Sequence, residues 1–292
     1  MSRTRQSKAT PSTWVILGLI AVVIILSVFS VVTVNKSNTQ KEQINSLKKE
    51  VAELTPPTGM EMQSYQKLYP DMKDKLPKEW NREKKTVYLT FDDGPSKVTE
   101  SVLKTLKDED VKATFFVMGS GTNHDLLKRI SDEGHEIGVH TYSHKYKDVY
   151  KSIDAYVKDY NKIYKVIEDK TGKKPTVFRY PGGSNNVYNV LNQKETTAEM
   201  FRRGFVPFDW NVDSGDAAGH NVATDTIVKN SLKGTKMDRP IILMHDAAAK
   251  ETTAKGLKKI IDGYKKAGYK FGVLTNQDAP LLFSTPDGER YD

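Results

Sequence analysis

The 292-residue sequence contains no cysteine. Disulfides and thiolate chemistry are therefore excluded, and any metal site must use His, Asp and Glu. Histidine is itself scarce, at six residues, and tryptophan scarcer, at three. Most of the chain also lacks a strong charge imbalance. The 45 basic and 37 acidic residues leave a net +8, but the excess is unevenly spread. Residues 1–35 carry Arg3, Arg5 and Lys8 and no acid; residues 36–85 carry 11 basic against 8 acidic; residues 86–292 carry 31 against 29. The last segment is close to neutral, which argues against the basic stripe on a folded face that a nucleic-acid binder needs. The excess lies N-terminally, as suits a region beside an anionic membrane surface.

Residues 14–34, WVILGLIAVVIILSVFSVVTV, are 21 positions without a charge. At about 1.5 Å per residue such a helix spans the roughly 30 Å hydrocarbon core. The three basic residues before it put residues 1–13 in the cytoplasm and the rest outside the cell. No A-x-A-like site precedes Asn35, and the apolar run exceeds a signal-peptide core, so the reading is an uncleaved single-pass anchor. Residues 35–85 read as an extracellular stalk and linker. Ile44, Leu47, Val51 and Leu54 make an apolar seam too short for a secure coiled coil, so 36–54 reads as a solvated helix rather than a dimerisation element. TPPTG at 55–59 breaks it.

Residues 86–292 read as one domain. The spacing predicts strands over 86–91, 113–117, 136–139, 176–178, 205–212, 240–244 and 269–273. It predicts helices over 97–107, 123–133, 151–170, 187–203, 222–232 and 252–266. Such alternation favours a parallel (β/α) barrel, in which chemistry collects at the C-terminal strand ends.

Five clusters fall at those ends. TVYLTFDDG at 86–94 is a strand closing on Asp92 and Asp93, two acids that need positive charge nearby. HTYSH at 140–144 sets two imidazoles four apart, a spacing that suits a shared metal. RYPGGS at 179–184 offers an arginine that can pair with a carboxylate, and glycines that let backbone N–H groups approach a ligand. WNVDSGD at 210–216 holds Asp213 and Asp216 beside Trp210, and ILMHD at 242–246 ends a strand on His245. Each alone has an ordinary reading, as a turn, a surface histidine or a salt-bridged arginine. Their joint placement does not. His124, His135 and His220 have no such context.

TFDDG, HTYSH, RYPGG, DSGD and LMH resemble, in order, the motifs of the polysaccharide deacetylases of carbohydrate esterase family 4, the NodB-homology domain. The resemblance spans roughly residues 84–275. It implies a deformed (β/α) barrel and a divalent metal, commonly Zn2+, with Co2+ or another divalent ion as substitutes. It implies Asp93, His140 and His144 as ligands, Asp92 as general base and His245 as general acid. Arg179 would pair with Asp92, and Asp213 and Asp216 would orient Arg179 and His245. The backbone N–H near Gly182 would stabilise the oxyanion and Leu243 would line the acetyl pocket. The third motif departs from the common pattern with Gly182 and Gly183 after Pro181, and the fourth has Ala217 where tryptophan is usual. Trp210 or Tyr180 would then replace the missing sugar-stacking surface, and Pro181 would join them, Gly182 and Leu243 in binding substrate.

The implied activity is hydrolysis of N-acetyl groups from cell-wall polysaccharide at a Gram-positive type surface. Peptidoglycan N-acetylglucosamine is the nearest substrate, with N-acetylmuramic acid or poly-N-acetylglucosamine as alternatives. A carbohydrate-binding or adhesion protein on the same fold is the competing class.

Overall fold

The computed structural model describes residues 62–120, 123–189 and 192–283. The expected tail, anchor and seam (1–13, 14–34 and 36–54) lie outside these residues. Among the described residues no helix is long and apolar enough to cross a membrane.

The chain alternates strand and helix from β1 (Thr86–Asp92) onward. In order follow α2 (Lys97–Asp108), β2 (Thr114–Met118), α3 (Asp125–Asp132), β3 (Glu136–Thr141), α4 (Tyr146–Val149), α5 (Ile153–Thr171) and β4 (Val177–Phe178). Then come α6 (Gln193–Arg202), β5 (Val206–Pro207), β6 (Val212–Asp213), α7 (Thr224–Ser231), β7 (Ile241–His245), α8 (Glu251–Lys266) and β8 (Lys270–Gly272). A short α1 (Ser64–Lys67) precedes them all.

Every strand pairing is parallel, in the order β5-β4-β3-β2-β1-β7-β6, with β8 on β1. The expected strand over 205–212 is thus two short strands. One end pairs with β4 and the other with β7, and residues 208–211 cross between them. This is the deformation of the barrel: a bent segment stands where a regular strand would close it.

β1 alternates apolar and polar residues, which suggests one wet face, yet all seven are buried. It is central and covered on both sides, as parallel strands are. Its Thr90 hydroxyl donates to the Ile242 carbonyl, so the polar positions are satisfied inside.

α5 shows why local sequence suffices for the longest helix. The Ser152 hydroxyl accepts the Ala155 N–H at its start, and Gly172 ends it at φ +70°. Its buried stripe is Ile153, Tyr156, Val157, Tyr160, Ile163, Tyr164 and Ile167. Burying each aliphatic side chain is worth about 1.5–3 kcal/mol. The helix expected to start at 187 starts at Gln193 instead. Asn186 intervenes: its Oδ1 accepts the N–H groups of Tyr188 and Asn189, a turn that competes with helix.

The expected boundary at residue 86 moves. Residues 62–85 are part of the domain, not stalk: Met72 is 2% exposed in the core, and Asn81 bridges to Asp278. A buried arginine explains it. Arg203 donates to the carbonyls of Tyr65, Leu68 and Tyr69 at 2.8–3.0 Å and to Met72 at 3.5 Å. Glu199 holds its other side at 2.6 Å. The Asp74 N–H reaches the Arg203 carbonyl at 2.7 Å. Side-chain capping of carbonyls over such distance leaves no periodic signal in sequence.

Candidate active site

β1, β3, β4, β6 and β7 bring the five clusters to the same end of the sheet. The end of β1 sets Asp92 opposite His245 of β7 in register. Asp93, next along, has φ +71°, and His144 has φ +54°. Few non-glycine residues occupy this region, and such strain gathers at functional sites.

Asp93, His140 and His144 each offer one ligand atom, and these lie within 4.8 Å of one another. The Nε2 atoms of both histidines sit 3.4 Å from Asp93 Oδ1. His140 Nδ1 lies 2.9 Å from the Arg179 carbonyl, which only accepts. That contact puts the proton on Nδ1 and leaves the Nε2 lone pair facing Asp93. Asp93 Oδ1 is buried with no hydrogen-bond partner. A buried carboxylate oxygen left bare is costly unless a cation completes it. Burial, then the neighbouring His140, pushes the His144 pKa down, which favours the neutral imidazole a metal requires. The donor set therefore fits a divalent ion, and three protein ligands leave positions open, as in catalytic sites.

The turn carrying the histidines is held by a residue the motifs do not flag. Asp159 of α5 accepts the Thr141 hydroxyl at 2.5 Å and the N–H groups of Tyr142 and Ser143 at 2.7 and 3.2 Å. The signal was an acid between Tyr156 and Tyr160, on the edge of the buried stripe.

Asp92 is 2% exposed, and Arg179 is fully buried against it. Nη1 of Arg179 donates to Asp92 Oδ1 at 2.9 Å and to the Thr90 hydroxyl at 2.7 Å. Its Nε and Nη2 donate to the carbonyls of Phe208 and Asp209. The guanidinium stacks on Phe116 at 4.3 Å. Four hydrogen bonds and the ring hold it, so it is a fixed charge rather than a mobile one.

The two fourth-motif acids separate. Asp216 Oδ1 lies 2.7 Å from His245 Nδ1, and Oδ2 accepts the His245 N–H and the Thr253 hydroxyl, both at 2.8 Å. Burial pulls the His245 pKa down, but Asp216, with Asp92 and Asp93 behind it, outweighs this and holds it at about 9. With Nδ1 taken by Asp216, the proton available to a ligand is on Nε2.

Asp213 does not join. It is exposed, and its Oδ1 accepts the Gly215 N–H. The expectation that it orients Arg179 or His245 is corrected: it closes a turn, and backbone carbonyls do the orienting of Arg179.

Tyr180 is a second correction. It is 1% exposed, its hydroxyl pairs with Thr197 Oγ1, and its ring packs on Tyr156 and Phe178. Arg179 turns to the site, so its neighbour turns into the core, as extended chain alternates. Pro181 is buried and lends its carbonyl to Tyr150. Gly182 is exposed at φ +75°, and Leu243 is 5% exposed beside Thr90 and Asp213 in register. Trp210 is half-buried, edge-on to Phe283 at 4.7 Å.

Two more buried acids were missed. Asp209 accepts the Ser184 N–H and hydroxyl and the Phe283 N–H, fixing the third-motif loop. Asp246 accepts the Thr99 hydroxyl, and its N–H donates to the Asp92 carbonyl. Burial, relieved by Thr99 and reinforced by Asp92 and Asp93, pushes its pKa up to about 7. His135 is buried and accepts the Ala113 N–H, a structural role, and His220 is exposed.

Residues 80–201 match the polysaccharide deacetylase family. A peptidoglycan-N-acetylglucosamine deacetylase of Bacillus cereus is 35% identical, covering 69% of this chain and 74% of that protein. The chain belongs to the polysaccharide deacetylase family, a family of hydrolases. Solved structures agree. The catalytic domain of a peptidoglycan N-acetylglucosamine deacetylase from Eubacterium rectale has a TM-score of 0.65 at 32% identity, covering 72% of this chain and 96% of that one. The polysaccharide deacetylase Bc1974 from Bacillus cereus has a TM-score of 0.60 at 32% identity, covering 69% and 97%. The parallel sheet described above thus belongs to a fold that this chain shares with both of those structures.

Proposed function

We propose that this polysaccharide deacetylase removes N-acetyl groups from N-acetylglucosamine of peptidoglycan, with a divalent cation, Zn2+ first, at Asp93, His140 and His144. One observation carries the reading: the bare Asp93 oxygen and the two imidazoles meet at the strand tip where Asp92, backed by Arg179, pairs in register with His245, backed by Asp216. A cation bound there supplies a Lewis acid for the amide carbonyl and eases deprotonation of water.

The chain's own groups do the rest. Asp92 takes the proton from the attacking water. Gly182 supplies a backbone N–H to the carbonyl oxygen as charge develops. His245 gives the Nε2 proton to the amide nitrogen as the C–N bond breaks, and acetate and a free amine remain. Leu243 lines the space for the acetyl methyl, and Trp210 borders it.

The polymer follows from the relatives' substrates, and an extracellular position from the uncharged 14–34 stretch behind Arg3, Arg5 and Lys8. The deciding experiment is acetate release by the full chain on peptidoglycan and on N-acetylglucosamine oligomers, with chelator and with zinc restored. Chelator-sensitive release is expected. Release of phosphate or peptide instead, or none from any acetylated polymer, overturns the proposal.

A further inference from the structure

Among the described residues, the exposed large apolar side chains are Met62, Tyr69, Val187, Tyr188 and Met237. Only Val187 and Tyr188 are adjacent, at 80% and 47% exposure. They sit on the loop between β4 and α6, just beyond Gly182 and Gly183. Residues 181–189 of that loop are held from within. Asn186 accepts the Tyr188 N–H, and its Nδ2 donates to the carbonyls of Pro181 and Gly183. The exposed ring is therefore held out by a built turn.

The Tyr188 ring lies 5.6 Å from that of Tyr146, and the Tyr146 ring 5.3 Å from that of His144. Gly182 lets Tyr146 come close: a Cβ at Gly182 would stand 2.9 Å from that ring. An aromatic strip thus runs outward from the clustered His144 through Tyr146 to Tyr188. Exposed rings that run on from a site offer apolar surface that an occupant of that site can cover. The strip is continuous with the site, so its occupant extends from the molecule that reacts there. Rings present apolar faces with polar edges free to solvent, which suits the C–H face of a sugar whose hydroxyls stay hydrated.

We infer that Tyr188, buttressed by Tyr146, stacks on the sugar next to the one being deacetylated and sets a preference for polymer over single sugar. The identity of that polymer rests on the function proposed above; the strip does not.

The test uses the full chain and its Tyr188→Ala and Tyr188→Phe variants. Two readouts are taken: acetate release from N-acetylglucosamine oligomers and monosaccharide, and co-sedimentation with insoluble peptidoglycan. Tyr188→Ala is expected to raise KM for oligomers about tenfold, from the usual worth of an aromatic contact, and to weaken sedimentation. The oligomer kcat and the monosaccharide rate stay unchanged, and Tyr188→Phe keeps native values. An unchanged KM with unchanged sedimentation overturns the inference, as does an equal loss on monosaccharide and oligomer. If the unsubstituted chain releases no acetate from any polymer, the deacetylase reading falls. Sedimentation then decides the strip alone: binding lost in Tyr188→Ala carries it, and equal behaviour of the two proteins overturns it.

Discussion

In the proposed mechanism single side chains divide the chemistry between holding and transferring. Removing a ligand and removing a proton carrier should therefore have different signatures. Asp93→Ala or His140→Ala is expected to lose metal and activity together, measured by metal content after desalting alongside acetate release. Asp92→Asn is expected to keep metal and lose about 10²–10⁴-fold in kcat. Retained metal with full activity in the first pair, or lost metal in the second, contradicts the assignment. The pH profile isolates His245. In the proposed mechanism it must be protonated to donate, so activity is expected to fall as pH rises through its pKa, held at about 9 chiefly by Asp216 against burial. Asp216→Asn removes the negative charge that raises it, so the alkaline limb of kcat/KM is expected to move to lower pH. A limb that stays in place assigns the acid elsewhere.

Elements of structure show how far sequence carries. α5 was legible because its stripe is local: seven core residues at helical spacing. β1 and the motifs at strand ends were legible for the same reason. What escaped depends on distant partners. Asp159 and Asp209 lie outside the motifs and Asp246 was carried in one without a role of its own, each defined by what it accepts from another part of the chain. Tyr180 and Asp213 misled because adjacency to a functional residue does not fix which face a side chain takes. α5 also carries a test of its own packing. The Tyr160 hydroxyl is buried and no protein group hydrogen-bonds it; a buried hydroxyl left unpaired costs about 1–3 kcal/mol. Tyr160→Phe is expected to raise stability by about 1 kcal/mol in denaturant unfolding. A destabilised variant would mean the hydroxyl has a partner, such as water.

At the scale of the whole domain, the segment over 62–85 is built in through Arg203. Arg203→Ala strips the carbonyls of Tyr65, Leu68 and Tyr69 of their donor and leaves Glu199 with a single arginine neighbour, Arg202. Removing one partner of a buried pair costs about 3–5 kcal/mol. A lower Tm and faster proteolysis within 62–74 are expected, with kcat of the folded fraction retained. Gly204 belongs to the same latch: at φ +85°, a Cβ would stand 2.2 Å from the Asp74 carbonyl oxygen. Gly204→Ala is expected to loosen the segment similarly, and native-like proteolysis in both variants would refute the latch.

The latch has a mechanical consequence. Arg203 and Gly204 lie just before β5, at the N-terminal end of the strands, whereas Asp92, His140 and His245 lie at the other end. Tension arriving along the chain from residue 62 is therefore spent on peeling carbonyls from one guanidinium, with the height of the barrel between that peeling and the strand tips. A tethered copy under load would give slack at its base before any ligand distance changed.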